Sequence, residues 1–172
     1  QDGARVYEKI SGGKYRNFSS FGCQAGNNIG FYSNPTDSMF LCFLTEGEKK
    51  GAFCNAKMHA PFISFPGVNS WGKLLEGENG SRPIDALKER GVTMFVVAYD
   101  ADAANNNAVF RQQYNVIRAI RKQGFEVGVA GWDINLGKGL DDLLASGNKP
   151  FYDIVDDAYM AECEKEWEER TK

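Results

Sequence analysis

The sequence predicts an α/β domain built on a mostly parallel sheet of four strands flanked by helices, and three observations predict it. Four short runs, Met39–Thr45, Pro61–Phe65, Val92–Tyr99 and Phe125–Gly131, are almost unbroken in apolar residues. Such runs suit strands buried on both faces, as in parallel sheets covered by helices. Segments of helical periodicity separate the runs, as right-handed β–α–β crossovers require. Acidic residues recur where the runs stop: Glu46 after the first, Asp100 and Asp102 after the third, and Asp133, Asp141 and Asp142 past the fourth. Parallel strands end on one edge of the sheet, the edge where open α/β folds bind ligands. Acids scattered along the chain are therefore expected to converge on one site.

A chain of 172 residues suffices for one domain with a good core and is short for two. Hydrophobic residues make up 42% and charged residues 25%, which excludes a disordered polyelectrolyte. The formal net charge of −3 is uneven, because residues 156–172 hold seven acids and three bases and leave +1 for the rest. A nearly neutral body needs a local patch or a bound metal to hold a polyanion. Cys23, Cys42, Cys54 and Cys163 are widely spaced and read as free thiols of a reducing cytoplasm. Cys54 and His59 lack the further ligands that a zinc site needs. No stretch has membrane-spanning length or a signal-peptide core, so a membrane partner is not expected. A start at Gln1 suggests a processed product or a domain cut from something longer.

Taken in order, residues 1–38 form an N-terminal extension. Arg5–Ile10 and Ile29–Ser33 read as short strands joined by Gly, Ser and Asn-rich turns, a β-ribbon beside the main sheet. Its aromatic residues suit base stacking or the underside of a hairpin. Residues 39–150 form the main domain. After the first buried strand, Glu46-Gly47-Glu48-Lys49-Lys50 turns into a helix over 48–58, with Gly47 permitting close approach. Pro66-Gly67 is a turn, Trp71–Leu75 starts a surface helix, and Pro83–Arg90 is a helix with Pro at its start and Gly91 past its end. Asn106–Gln123 is the clearest helix, with Val109, Phe110, Val116, Ile117 and Ile120 on its inner face. Arg111, Arg118, Arg121 and Lys122 make a basic stripe, either a solvated face or a phosphate contact. Asn135–Gly139 is a loop feeding a short helix whose first turn holds Asp141 and Asp142. Capping explains one of those acids but not both. Lys149-Pro150 breaks the chain, and residues 151–172 carry a final acidic helix over Asp156–Arg170.

The acids carry the chemistry. In extended chain, residues two apart point the same way, so Asp100 and Asp102 project together. Two carboxylates held that close repel unless a proton or cation intervenes. Hard oxygen ligands of this kind suit Mg²⁺ or Mn²⁺. As a plain alternative, the pair merely ends a strand and Asn105–Asn107 cap the next helix. Lys138, beside Asp141 and Asp142 on the loop at the same edge, is a candidate phosphate contact.

Glu46-Gly47 at the end of the first strand and Asp100-Ala101-Asp102 at the end of the third resemble the motifs of the Toprim domain of primases, topoisomerases and some nucleases. The chain is more closely similar to the Toprim-like domain of unknown function of plasmid and phage replication proteins. The shared features are Glu46–Lys50, then Pro66-Gly67-Val68 followed by Trp71, then Asp100-Ala101-Asp102 with Asn105, then Gly137-Lys138-Gly139-x-Asp141-Asp142-Leu143-Leu144. They span roughly residues 40–147, in order. The resemblance implies a Toprim-like, Rossmann-like four-stranded sheet with the Glu46 strand beside the Asp100 strand. It implies Asp100 and Asp102 as Mg²⁺ (or Mn²⁺) ligands and Glu46 as the proton-transfer group. Asp141 and Asp142 resemble a further acidic motif of related primases. The implied function is Mg²⁺-dependent nucleotidyl or phosphoryl transfer on nucleic acid, DNA or RNA, in mobile-element DNA replication, alongside other domains such as a helicase. Neither a tyrosine nucleophile from another domain nor template and nucleotide grips are recognisable.

Two alternatives stand beside it. One is a non-catalytic interaction module of a larger replication protein, binding nucleic acid or protein. The other is a haloacid-dehalogenase-type phosphatase, which uses an Asp-x-Asp but places it after the first core strand and has no need of Glu46.

Overall fold

The computed structural model describes residues 7–9, 15–17, 29–78, 80–101 and 105–172, the first two segments by backbone alone. Asp102 and Cys23 lie outside the described residues. The strands are β1 (Tyr7–Lys9), β2 (Tyr15–Asn17), β3 (Gly30–Tyr32), β4 (Leu41–Glu46), β5 (Phe62–Phe65), β6 (Met94–Val97), β7 (Glu126–Gly131) and β8 (Phe151–Ile154). The helices are α1 (Glu48–Met58), α2 (Pro83–Glu89), α3 (Asn107–Arg121), α4 (Leu140–Ala145) and α5 (Asp157–Arg170). Expected Trp71–Leu75 is instead the end of a 3₁₀ helix over Val68–Leu74.

The main sheet has six strands, not four, in the order β3-β5-β4-β6-β7-β8. Its inner pairs, β5–β4, β4–β6 and β6–β7, are parallel, as the apolar runs predict. Both outer strands run antiparallel, which makes the sheet mixed. Ile29–Ser33 therefore does not join a ribbon with Arg5–Ile10. Gly30–Tyr32 pairs with β5, while β1 pairs with β2 in a separate two-stranded sheet. A three-residue edge strand buries too little for its pattern to announce its partner.

Alternation along the inner strands divides the core. Cys42, Leu44, Ile63, Phe65, Phe95 and Val97 pack against Val116, Ile117 and Ile120 of α3. Phe43, Phe62, Met94, Val96 and Ala98 face Cys54 of α1 and Leu140, Leu143 and Leu144 of α4. Helices thus cover both faces, as strands apolar on both sides demand. Helix α3 begins where Asn106 accepts hydrogen bonds from the N–H groups of Ala108 and Val109, a side-chain N-cap. Its basic stripe partly serves α5. Arg121 pairs with Asp157 at 2.7 Å, Arg111 lies 4.9 Å over the Trp167 ring, and Phe110 stacks on Trp167. Two of the four cations are thereby engaged within the fold.

The edge strand β8 was expected to be chain leading into a helix. Its four residues are all exposed, so no burial pattern marks it. The Phe151 and Tyr152 rings come within 2.8 and 3.3 Å of where side chains at Gly131 and Gly128 would begin. Aromatic rings over strand glycines replace packing that β7 itself lacks.

Close approach is needed at Gly51, where α1 crosses β5. A Cβ there would strike the Ser64 hydroxyl and come within 3.1 Å of both the Ser64 Cβ and the Tyr32 ring. Helix propensity alone makes Gly→Ala favourable by about 1 kcal/mol. Overpacking costs about 1–3 kcal/mol. Gly51→Ala is therefore expected to lower stability in urea titration, and Ser64→Ala in the same chain to recover part of the loss. A more stable Gly51→Ala protein would contradict this helix–sheet contact.

Candidate functional site

From β4 the chain leaves through α1 toward β5, and from the adjacent β6 it leaves through α3 toward β7 on the opposite face. Neighbouring strands whose connections depart in opposite directions open a crevice at their C-terminal ends, where α/β folds bind ligands. Glu46 ends β4, and Asp100 lies just past β6. The two strands pair from Leu41↔Met94 to Leu44↔Val97, and Ala98 N–H continues the ladder to the Leu44 carbonyl at 2.8 Å. That register carried onward sets Glu46 level with Tyr99, one residue before Asp100.

Gly47 makes the turn out of β4. Its φ of 86° lies in the left-handed region that glycine adopts freely, and its N–H donates to the Phe65 carbonyl at 2.7 Å. Helix α1 thus begins directly above the sheet edge. Side chains of a helix tilt toward its N-terminus, so Lys50, in the first turn, reaches back over that edge. Its ammonium donates to Asp100 Oδ1 in a short ion pair and lies 3.8 Å from Asp141 Oδ1. The Lys50 side chain is 16% exposed. Burial works to lower its pKa, but the hydrogen bond and charge of Asp100, then the charges of Asp141 and Glu46, outweigh it. Lys50 is held above its ordinary range.

The late loop closes on the same edge. Asp133 caps a short 3₁₀ helix, Ile134–Leu136, and Trp132 Nε1 donates to the Gly137 carbonyl at 2.8 Å. Lys138 contributes its backbone carbonyl, which accepts from Ala101 N–H at 3.0 Å and ties the loop to the residue after Asp100. The two acids of α4 then separate. Asp142 Oδ2 accepts from Gly139 N–H at 3.2 Å and caps the helix, while Asp141 turns to Lys50. Nearby, burial pushes the Cys54 thiol up to about 12, with the Asp141 charge adding to the effect and Lys50 opposing it.

A cavity of about 140 Å³ opens beside Asp100, lined also by Tyr99, Ala101, Gln113, Gly131 and Trp132. Tyr99 is 3% exposed, and its hydroxyl has no hydrogen-bond partner. Burial, and then the Glu46 charge, raise its pKa. An O–H donor left unpaired in such a place costs free energy until an acceptor arrives.

Glu46, Asp100 and Asp141 offer carboxylate oxygens only, a donor set that suits hard cations such as Mg²⁺ or Mn²⁺. Asp141 Oδ1 is buried without a hydrogen-bond partner. In donor chemistry these residues suit a divalent cation, with the Lys50 ammonium standing between Asp100 and Asp141. Among the described residues no three His, Cys, Asp or Glu side chains already form a cluster able to hold a metal ion. Asp102 is not among them.

Sequence reasoning missed Lys50 and Tyr99 as members of this site. Lys50 had a legible signal, being four residues after a strand-end carboxylate and in the first turn of the following helix. Tyr99 had none, because an aromatic residue ending an apolar run reads as core.

A family model described as a domain of unknown function (DUF3854) matches residues 31–150. No curated protein matches the chain. No helix among the described residues is long and apolar enough to cross a membrane.

Proposed function

Because the chain belongs to the family described as a domain of unknown function (DUF3854), membership brings no activity with it, and we propose from the site itself a Toprim-like, Mg²⁺-dependent nucleotidyl- or phosphoryl-transfer domain. Its substrate is nucleic acid, in primase-like work during mobile-element DNA replication. The observation that carries this proposal is the meeting of Asp100 and Asp141 on Lys50, beside Glu46, at the crevice between β4 and β6. Asp100 alone satisfies the Lys50 ammonium, so a second carboxylate at Asp141 adds like-charge repulsion there. A site that must receive a cation explains it.

Asp100 and Asp102 would hold the Mg²⁺, whose charge would screen the phosphate that bare carboxylates repel. Glu46 takes up or releases the proton of the attacking or leaving hydroxyl. Asp142 keeps the α4 N-terminus capped, and the Lys138 carbonyl fixes the loop against Ala101.

Calorimetric titration of the wild-type chain with Mn²⁺ is expected to show saturable binding that excess Mg²⁺ competes away. Glu46→Gln should retain most of that affinity, while transfer activity on a single-stranded DNA template falls by about a hundred- to ten-thousand-fold. Absence of Mn²⁺ binding at millimolar concentration, with or without DNA, would defeat the catalytic proposal. A non-catalytic interaction module, docking another domain of a replication protein such as a helicase, would then take its place. The exposed Phe151, Tyr152 and Ile154 along β8 favour that second function.

A further inference from the structure

We infer that Lys50 is a displaceable counter-ion. Its ammonium holds Asp100 and Asp141 while the site lacks a divalent cation, and once released from them it grips a phosphate group of the substrate. This role rests on the metal-dependent function proposed above and adds a residue and a binding order to it.

Four observations support the inference. The Lys50 ammonium already stands among the oxygens a divalent cation would want, bonded to Asp100 and 3.8 Å from Asp141. Asp100 and Asp141 share one ammonium between two carboxylates, so a doubly charged ion satisfies them better. Space for the ammonium is kept by Gly139, where a Cβ would lie 2.9 Å from Lys50 Nζ. The Tyr99 hydroxyl, buried and unpartnered on a residue that lines the cavity beside Asp100, independently points to a ligand that brings an acceptor oxygen. A lysine suits this work. Its flexible four-carbon stem carries a compact charge that can leave one anion for another, unlike a bidentate guanidinium fixed in its fork. Release of Lys50 would free an ammonium beside Asp100, which itself lines that cavity.

The order of binding follows. With Lys50 engaged by Asp100, its charge is taken up within the protein and it holds phosphate weakly. With the carboxylates satisfied by a cation, Lys50 becomes available and phosphate affinity rises. Metal and phosphate are thus coupled, and by linkage each strengthens the other's binding.

The test uses the whole chain, Mn²⁺ and inorganic pyrophosphate. Lys50→Met is expected to bind Mn²⁺ about tenfold more tightly than wild type, because no internal cation competes. It should lose most of the increase in pyrophosphate affinity that Mn²⁺ gives the wild type. In wild type itself, Lys50 should resist an amine-reactive label in metal-free buffer and label about tenfold faster with Mn²⁺, read by peptide mass spectrometry. That second measurement stands even if Lys50→Met folds poorly. Equal or weaker Mn²⁺ binding by Lys50→Met, or Lys50 labelling unchanged by Mn²⁺ that demonstrably binds, would overturn the counter-ion role alone. Mn²⁺ binding by neither protein would overturn the metal-dependent function and this role with it.

Discussion

Asp100→Asn combined with Asp102→Asn is expected to abolish Mn²⁺ binding in calorimetry and to lower the stability of the metal-free protein by about 1–3 kcal/mol. The first effect follows from removing two charged oxygen donors from the proposed hard-cation site. The second reverses what the sequence alone implies. Two adjacent carboxylates repel, and neutralising them should leave stability unchanged or raise it. In the structure, however, the Asp100 charge is engaged with Lys50, which is 16% exposed at its side chain. Asparagine leaves that ammonium half-desolvated without its charged acceptor, and Asp141, at 3.8 Å, is too distant to replace the lost hydrogen bond. Chemical denaturation in the presence of a chelator measures the loss. A double mutant more stable than wild type would mean that the Lys50–Asp100 pair does not form in solution.

Phe95→Ala should cost more, about 3–5 kcal/mol. Phe95 has no exposed surface and lies on central strand β6, in register with Cys42 on one side and Val127 on the other. Its ring meets Phe125 edge-on at 5.1 Å, so truncation loses both transfer free energy and an aromatic contact. A cavity at the centre of the sheet cannot collapse without bending three strands. Phe40→Ala, at a phenylalanine that is 55% exposed, is the control and should stay within about 0.5 kcal/mol. Similar losses in the two proteins would contradict the assignment of β6 to the centre of the sheet.

The inner sheet was legible because burial on both faces writes itself into sequence. Val92–Tyr99 and Met39–Thr45 have no polar side for solvent, so they had to be covered by helices, while nothing in their own residues announces that the two strands pair. The edges were not legible. Gly30–Tyr32 and Phe151–Ile154 are three and four residues long, and a strand that short imposes no periodicity to read. The site was half legible for a related reason. Glu46 and Asp100 stand at strand ends, where backbone geometry predicts their direction. Lys50 belongs to the site through the reach of a flexible side chain from a helix, which depends on where that helix sits. Asp141 and Asp142 were indistinguishable in sequence. One turn of α4 rotates the first toward Lys50 and the second back onto Gly139, and only the placed helix says which.

The pairing of β8 with β7 separates the reach of the family match from the unit that folds. The family match stops at residue 150, yet the strand that seals the sheet begins at Phe151. A protein trimmed to the match would strip the aromatic cover from Gly128 and Gly131 and leave β7 with an open row of amides. Such a fragment would contain every acid of the candidate site and still be a poor object for biochemistry, prone to pair with its own copies. The smallest useful piece of this chain therefore extends past the end of the family match, through Ile154 and onto the helix that follows.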